Sequence, residues 1–206
     1  MGISVLSEEN NNRDSEQWEK IDNDITLWKK HYDDIMKHLE TKSNAMALMT
    51  NANEVYRMSI LIAAASYCET RLTAMMKKIY EERTGSAILS EFVHKRALYK
   101  KFHTLFDWKT KGNYAKGANT FYSMFGKNFA DHIKNQSEND KEFKMSQEAF
   151  VKIGALRNEL AHEGNITSSY TVADALDLFE NAKVFFVKFF DQLESQYTNE
   201  RLQTPC

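Results

Sequence analysis

The sequence is poor in the residues that interrupt helices. Its 206 residues include a single proline and only seven glycines. A β protein of this length needs many tight turns, which are rich in these two residues, so the shortage favours long helices. No stretch of about 18 consecutive apolar residues occurs, which argues against a membrane-spanning helix. We therefore predict an all-α protein without a membrane span.

Cysteine is also scarce. One of the two cysteines, Cys68, lies in an apolar stretch, and the other, Cys206, is the last residue. This arrangement provides neither a disulfide framework nor the paired spacing of a metal site. The N-terminal residues do not combine a basic and an apolar segment as a secretory signal does. We therefore predict a cytoplasmic protein that binds no metal ion and needs no cofactor.

Positive charge is concentrated in one part of the chain. The formal net charge is −2, so the chain as a whole is not an evident binder of polyanions. Residues 95–116, however, contain seven Lys or Arg and one acidic residue, Asp107. Two interpretations remain open: a solvated helix face, or a surface that faces phosphates. The candidate cations of that surface are Lys95, Arg96, Lys100, Lys101, Lys109 and Lys111.

The apolar pattern divides the chain into helical segments. We expect a disordered tail over residues 1–14, an N-terminal helix over 15–50, and a helical domain over 53–200. That domain would carry an insertion at about 86–145, which includes a polar linker at 135–144. Apolar residues recur every three or four positions from Trp18 to Leu39, which indicates a helix that packs either on this chain's core or on a partner.

Two charged residues stand in apolar helical patterns. Glu69 interrupts the pattern of a helix predicted over about 53–83, and Arg157 that of a helix from about Ser146 to His162. A buried charge without a partner is costly, so the two side chains are natural partners in a partly desolvated pocket. The alternative is that each pattern is slightly rotated, which would leave the charge at the rim.

The ends of two helices can also be predicted. Gly164 suits the C-terminal end of the helix that carries Arg157 and His162, and Thr171 with Asp174 suits a capping box at the start of the next helix. His162 lies five positions after Arg157, which places the two roughly 140° apart on a regular helix. They converge only if the helix end loosens or a second subunit completes the site.

Two segments resemble the HEPN superfamily. The residues LRNELAHEG around Arg157 and His162 are similar to the superfamily's signature, in which Arg is followed by a polar residue and then by His. The earlier segment LIAAASYCETRL resembles the corresponding helix of the RiboL-PSP-like branch. One departure is Glu163, which separates His162 from Gly164. The resemblance implies an all-α, HEPN-type helical bundle with long antiparallel helices, to which the N-terminal helix is an extension.

The resemblance further implies a metal-independent endoribonuclease that acts as a homodimer on RNA. His162 would transfer protons, Arg157 would stabilise charge on the phosphate, Asn158 would orient the phosphate or His162, and Glu69 would hold Arg157. Tyr99, Phe102, Trp108 and Tyr114 would be available to stack on bases.

Two functions remain open at this level. The first is a toxin or abortive-infection effector, with an antitoxin or another regulatory protein as a possible partner. The second is a non-catalytic HEPN module that dimerises or binds a partner through its helices. Substitution of His162 or Arg157 would separate the two, because only a nuclease would lose an activity.

Overall fold

The protein is entirely helical in the part of the chain that the structure describes. The computed structural model describes the backbone of residues 3–86, 93–95, 102–109, 114–164 and 170–203. Within these ranges there are six α-helices, two short 3-10 helices and no β-strand, which confirms the predicted all-α class. None of the described helices is both long and apolar enough to cross a membrane. The α-helices are α1 (Ile3–Glu40), α2 (Met46–Thr84), α3 (Asn119–Ser123), α4 (Lys127–Asn139), α5 (Lys141–Glu163) and α6 (Val172–Gln203), and the 3-10 helices are Phe102–Thr104 and Tyr114–Ala118.

Helices α1 and α2 form an antiparallel hairpin. Trp18 in α1 lies against Tyr67 near the middle of α2, with ring centroids 6.0 Å apart. Further along α1, Tyr32 lies 5.7 Å from Tyr56, which is nearer the start of α2. The Arg71 guanidinium lies over the Trp18 ring at 5.0 Å. The N-terminal helix thus packs on its own chain, as one of the two interpretations of its apolar pattern expected.

Helix α1 begins earlier than the sequence indicated. It starts at Ile3, whereas we expected residues 1–14 to be disordered. The polar, Asn-rich composition suggested disorder, but residues 3–14 contain neither proline nor glycine. Nothing in this segment therefore ends a helix that continues from the hairpin.

The buried face of α2 is turned by about one position from the predicted one. The buried residues include Arg57, Leu61, Ala64 and Cys68, whereas the apolar pattern that Glu69 interrupts runs through Val55 and Ile62. Val55 and Ile62 are instead 57% and 51% exposed. A step of one residue turns a helix by about 100°, so apolar residues on both faces of α2 made the phase ambiguous.

The predicted polar linker at 135–144 is wrong. Helix α4 continues to Asn139, and α5 begins two residues later at Lys141. Asp140 alone is extended, at φ −110° and ψ 101°. Its Oδ1 accepts a hydrogen bond from the backbone N–H of Phe143 at 3.0 Å, as an N-capping residue does. The polar residues thus belong to two helix ends and the cap between them.

The chain divides into two compact units, each built from two segments. The first comprises Met1–Phe102 with Leu156–Asp177, and the second comprises His103–Ala155 with Leu178–Cys206. The second unit thus contains the C-terminal residues as well as the middle of the chain, and the predicted domain boundaries stay a prediction.

An aromatic cluster forms the core of the second unit. Phe150 lies 5.0 Å from Phe106 and 4.7 Å from Phe185, measured between ring centroids. The Trp108 ring packs against Phe106 and lies directly over Gly154, where a Cβ atom would overlap it. Glycine is therefore required at position 154 for close packing between a helix and an indole ring.

Candidate functional site

The residues with the clearest chemical potential lie at the C-terminal end of α5. The helix ends at Glu163, and Gly164 follows in the left-handed conformation at φ +69°. The N–H of Gly164 donates to the carbonyl of Leu160 at 3.0 Å, which satisfies one of the free carbonyls at the helix end. The predicted end at Gly164 is confirmed, and it places His162 in the last turn.

Arg157 and Asn158 are in direct contact. Arg157 is exposed, Asn158 is partly buried, and the Arg157 guanidinium donates to Asn158 Oδ1 at 3.3 Å. Asn158 and His162 are four residues apart, so they lie on the same helix face, one turn from each other. Asn158 therefore lies between the cation and the imidazole, where its amide can orient either group.

Arg157 and His162 themselves do not converge within one chain. Helix α5 is regular through Glu163, so the two residues are separated by roughly 140° around its axis and about 7.5 Å along it. The helix end does not loosen, which was one of the two ways in which they could meet. The other way, a second copy of the chain, remains.

The expected pair between Glu69 and Arg157 is not formed in the described chain. Arg157 is exposed and its hydrogen-bond partner is Asn158. Leu156, not Arg157, continues the buried face of α5. Glu69 is partly buried on α2, and its carbonyl accepts from the Thr73 hydroxyl at 2.8 Å. Among the residues that the structure describes, no pocket joins Glu69 to Arg157, and a role for Glu69 stays a prediction.

Only part of the predicted basic surface can be located. Lys95 and Lys109 are exposed, as a phosphate-binding surface requires. The backbone N–H of Lys109 donates to Asp107 Oδ1 at 3.0 Å, which stabilises the turn that carries it. The other four candidates lie outside the described residues: Arg96, Lys100, Lys101 and Lys111.

Two of the four predicted stacking aromatics are held by the protein itself. Phe102 is 8% exposed, and the Trp108 ring packs on Phe106 and Phe150 while its Nε1 donates to the carbonyl of His103 at 2.7 Å. Phe102 is therefore a core residue, and Trp108 is partly buried. Tyr114 is partly buried with Lys152 5.9 Å from its ring, and Tyr99 lies outside the described residues.

Arg57 and Asn53, to which the sequence analysis assigned no role, position the segment that leads into α6. Arg57 is 8% exposed, and its guanidinium donates to the carbonyl of Tyr170 at 2.9 Å. Asn53 Oδ1 accepts from the backbone N–H of Val172 at 3.3 Å. The sequence does indicate Arg57, because it is an arginine within an apolar pattern. It was missed because the buried face of α2 was predicted about one residue out of position.

The start of α6 has the predicted cap. Asp174 Oδ2 accepts from the backbone N–H of Thr171 at 2.7 Å and from its hydroxyl at 2.8 Å. In return, the N–H of Asp174 donates to the Thr171 hydroxyl at 3.2 Å. The capping box, with Asp in place of the usual Glu, is confirmed. With Asn53 and Arg57, it defines where the chain re-enters a helix after the end of α5.

Among the described residues, no three His, Cys, Asp or Glu side chains converge in a group that could hold a metal ion. At the end of α5, Arg157, Asn158 and His162 provide a cation, an amide and an imidazole. These groups can bind a phosphate, stabilise charge on it and transfer protons.

Comparison with known proteins agrees with the resemblance of the two segments. No curated protein and no solved structure matches the chain. The family model described as RiboL-PSP-HEPN matches residues 30–195, a range that includes the hairpin partner α2, all of α5 and most of α6. Since this match covers well over half of the chain and includes Arg157, Asn158 and His162, the chain belongs to the RiboL-PSP-HEPN family.

Proposed function

We propose that this chain is a metal-independent endoribonuclease, and that two copies together form its active site. The observation that carries the proposal is the arrangement at the end of α5, where Arg157 bonds to Asn158 and Asn158 shares a helix face with His162. All three lie in a segment that matches a family for which RNA cleavage is typical. Exposure of Arg157 and His162 leaves them accessible to a large substrate.

The reaction needs few groups because RNA carries its own nucleophile. The 2′-oxygen attacks the adjacent phosphorus, the bond from phosphorus to the 5′-oxygen breaks, and one proton moves from the former to the latter. His162 would take the proton from the 2′-hydroxyl or deliver it to the leaving oxygen. Arg157 would stabilise the negative charge on the phosphate oxygens. The products would be a 2′,3′-cyclic phosphate and a 5′-hydroxyl.

A second copy would supply what one chain lacks. Because Arg157 and His162 point in different directions on a regular helix, one chain offers one imidazole and one cation to different sides. Two copies related by a two-fold axis would bring two imidazoles to one cleft, one to accept the proton and one to donate it. Asn158 would keep each imidazole oriented.

An apolar stripe on α2, formed by Leu48, Val55 and Ile62, is a suitable surface for that second copy. The three side chains are 59%, 57% and 51% exposed, and they are spaced seven residues apart. This spacing is the repeat by which two helices pack side by side. The stripe belongs to the same compact unit as Arg157 and His162, so a contact there would act on the unit that carries the site.

Cleavage of RNA in the presence of EDTA tests the catalytic proposal. We expect the purified wild-type chain to cleave and to leave 2′,3′-cyclic phosphate and 5′-hydroxyl ends. His162→Ala and Arg157→Ala are each expected to lower the rate by about 10²–10⁴-fold. His38→Ala is the matched control, because His38 is also exposed in the last turn of a helix.

The same variants address the proposed role as a toxin or abortive-infection effector. Expression of the wild type should slow bacterial growth, and His162→Ala should relieve this effect while the protein remains folded. Equal cleavage by the wild type and both variants would remove the nuclease proposal and favour the non-catalytic binding module.

The oligomeric state tests the second copy separately. We expect the wild type to be a dimer in sedimentation experiments, and the double variant Val55→Asp/Ile62→Asp to be a monomer with little activity, since two carboxylates would be desolvated at the interface. Val187→Asp is the control, because Val187 is equally exposed, at 52%, but lies on α6 in the second unit. If the double variant is still a dimer, the interface lies elsewhere on the chain.

The basic surface is tested by salt dependence. Substitution of both Lys100 and Lys101 by Gln should weaken RNA binding more at low than at high salt, because fewer counterions would be released on binding. Lys95→Gln with Lys109→Gln should act in the same way, since both side chains are exposed. If neither pair changes RNA binding at any salt concentration, the basic stretch is a solvated surface.

A further inference from the structure

Two side chains of α2 hold the start of α6 at two backbone points. The Arg57 guanidinium donates to the carbonyl of Tyr170 at 2.9 Å, and Asn53 Oδ1 accepts from the backbone N–H of Val172 at 3.3 Å. These backbone groups flank Thr171, which forms the cap of α6. Asn53 and Arg57 are four residues apart, so they lie one turn from each other on the same face of α2. The start of α6 is thus fixed to α2 on both sides of its cap.

Helix α1 takes part in the same arrangement. The Tyr32 hydroxyl donates to Asn53 Oδ1 at 3.3 Å, so this one amide oxygen accepts from α1 and from the start of α6. Arg57 and Val172 are 8% and 2% exposed. The hydrogen bonds are therefore partly shielded from water, which strengthens them. Asn53 and Arg57 together are called the α2 anchor below.

An arginine at position 57 is not what stability alone would select. Removing a guanidinium from water is unfavourable, and apolar side chains of similar volume often stabilise a buried position as well or better. A guanidinium, in contrast, forms charge-assisted hydrogen bonds of fixed geometry, which define where the acceptor lies. The burial of Arg57 against the Tyr170 carbonyl therefore favours a role in placing the chain that follows α5.

The α2 anchor acts close in the sequence to the proposed catalytic end of α5. Tyr170 follows His162 by eight positions. His162 stands in the last turn of α5, which Gly164 closes by donating to the carbonyl of Leu160 at 3.0 Å. Last turns of helices fray, because their carbonyl groups have few partners within the helix. How often this turn opens depends on whether the chain that follows it is held.

We propose that Asn53 and Arg57 are positioning residues for His162. They hold the chain that follows α5, which keeps the last turn of α5 closed and the imidazole where proton transfer needs it. A displacement of about 1 Å at a reacting group can lower a rate by about 10²-fold, so a residue that touches no substrate can still control the reaction. All of these residues belong to the first compact unit. The inference rests on the proposed ribonuclease activity, but the effect on α5 can be measured without cleavage.

Amide hydrogen exchange of the full chain, measured separately for residues 158–164 and 165–172, tests the proposal. Arg57→Met keeps a long apolar side chain and removes the charged hydrogen bond, so exchange in both segments should become about ten- to a hundredfold faster. Asn53→Ala removes neutral hydrogen bonds and should accelerate it by about two- to tenfold. If neither variant changes exchange in residues 158–164, the α2 anchor holds only α6 and the proposal is wrong.

Arg71→Met is the matched control. Arg71 is also a partly buried arginine of α2, and its guanidinium lies over the Trp18 ring and donates to the Tyr67 hydroxyl. Its substitution should weaken the packing of α1 on α2 and leave exchange in residues 158–164 unchanged. Equal acceleration in Arg71→Met and Arg57→Met would indicate a general loss of stability and would contradict the proposal.

Conservative variants test the hydrogen bonds themselves. Asn53→Asp keeps an acceptor for both donors, so its exchange should be slower than that of Asn53→Ala. Arg57→Lys keeps the charge but not the planar group, and it should lie between the wild type and Arg57→Met. These two variants also decide the question if Arg57→Met does not fold. Exchange that is as fast in Asn53→Asp as in Asn53→Ala would show that the accepted hydrogen bonds do not hold the segment.

Cleavage kinetics connect the α2 anchor to the reaction. In Arg57→Met we expect kcat to fall by about ten- to a hundredfold and KM to change by less than about twofold, because Arg57 is buried and not accessible to RNA. A change confined to KM would contradict a positioning role. If the wild type does not cleave RNA, the proposed function fails. Exchange in residues 158–164 and a shift of the His162 ring signal in NMR would then still decide whether the α2 anchor positions His162.

Discussion

The two ends of α5 differ in what they contribute to the molecule. Its early residues Phe143, Phe150 and Ile153 are at most 2% exposed, whereas Arg157, Ala161 and His162 near its end are exposed. The early part belongs to the second compact unit and the end to the first. One continuous helix thus provides core packing in one unit and accessible charged groups in the other, so stability and chemistry should respond to different substitutions.

The largest effect on stability should come from the buried part. Phe150 is 1% exposed and contacts the aromatic rings of Phe106, Trp108, Phe185 and Phe186. Phe150→Ala should lower the free energy of unfolding by about 3–5 kcal/mol through lost burial and a residual cavity. Urea denaturation measures the change. Met145→Ala, at a position of the same helix that is 48% exposed, should change the free energy of unfolding little. Equal losses of stability in the two variants would contradict the proposed difference between buried and exposed positions of α5.

A smaller loss is expected at Gly154. An alanine there would normally stabilise a helix by about 1 kcal/mol relative to glycine. Here its Cβ would overlap the Trp108 ring, so Gly154→Ala should instead destabilise the protein by about 1–3 kcal/mol. The same substitution in a Trp108→Ala background should be neutral or stabilising, and a double-mutant cycle would measure this coupling. If the effects of the two substitutions on stability are additive, the indole ring is not the reason that position 154 requires glycine.

The ion pairs at the start of α5 make the stability of the protein depend on pH. The hydrogen bonds from Lys188 and from the N–H of Phe143 lower the pKa of Asp140, and those to Asp140 and Glu142 raise the pKa of Lys188. A lowered carboxyl pKa adds stability above the unfolded value of about 3.9, and this stability is lost as the pH falls through the folded value. For Lys188 the added stability is present below about 10.4 and is lost as the pH rises through its raised value.

The titration of Asp140, followed by NMR, measures this network. In Lys188→Gln the pKa of Asp140 should rise toward its ordinary value and the acid-side loss of stability should become smaller. Lys141→Gln removes a neighbouring cation that forms no ion pair in the described chain, and it should shift the pKa less. An unchanged Asp140 pKa in Lys188→Gln would show that the ion pair of 2.7 Å does not persist in solution.

The smallest effect on stability is expected at the exposed end. Arg157→Ala and His162→Ala should each change the free energy of unfolding by less than about 0.5 kcal/mol, because both side chains are exposed. Urea denaturation beside the cleavage assay would show whether lost activity is separate from lost folding. A loss above about 1 kcal/mol would indicate that these residues are part of the packing after all.

Features that depend on neighbours in the chain could be predicted from the sequence. The left-handed Gly164 ends α5, and Thr171 and Asp174 cap α6 as expected. Both depend on backbone groups within a few residues of each other, so tertiary packing is not needed to specify them. The same is true of the motif from Arg157 to His162, whose helical spacing follows from a regular helix.

Features that depend on helix phase could not be predicted. Glu69 and Arg157 each stood in an apolar pattern, but Arg157 is exposed because Leu156 takes the buried position, and Glu69 is only partly buried. The buried face of α2 was also predicted in the wrong phase, and for this reason the burial of Arg57 was missed. The polar stretch around Asp140 was mistaken for a linker. Asp140 caps α5 through the nearby N–H of Phe143, and it also binds Lys188, which is distant in the sequence.

The sequence by itself determined that this protein is helical, where α5 ends, and which RiboL-PSP-HEPN residues it carries, because these properties follow from local spacing and residue type. The tertiary structure decided which face of α2 and α5 is buried and that α1 packs on α2. It also decided that Asn53 and Arg57 hold the start of α6. Each of these outcomes depends on the packing partner of a helix, and a helix with apolar residues on more than one face does not specify that partner alone.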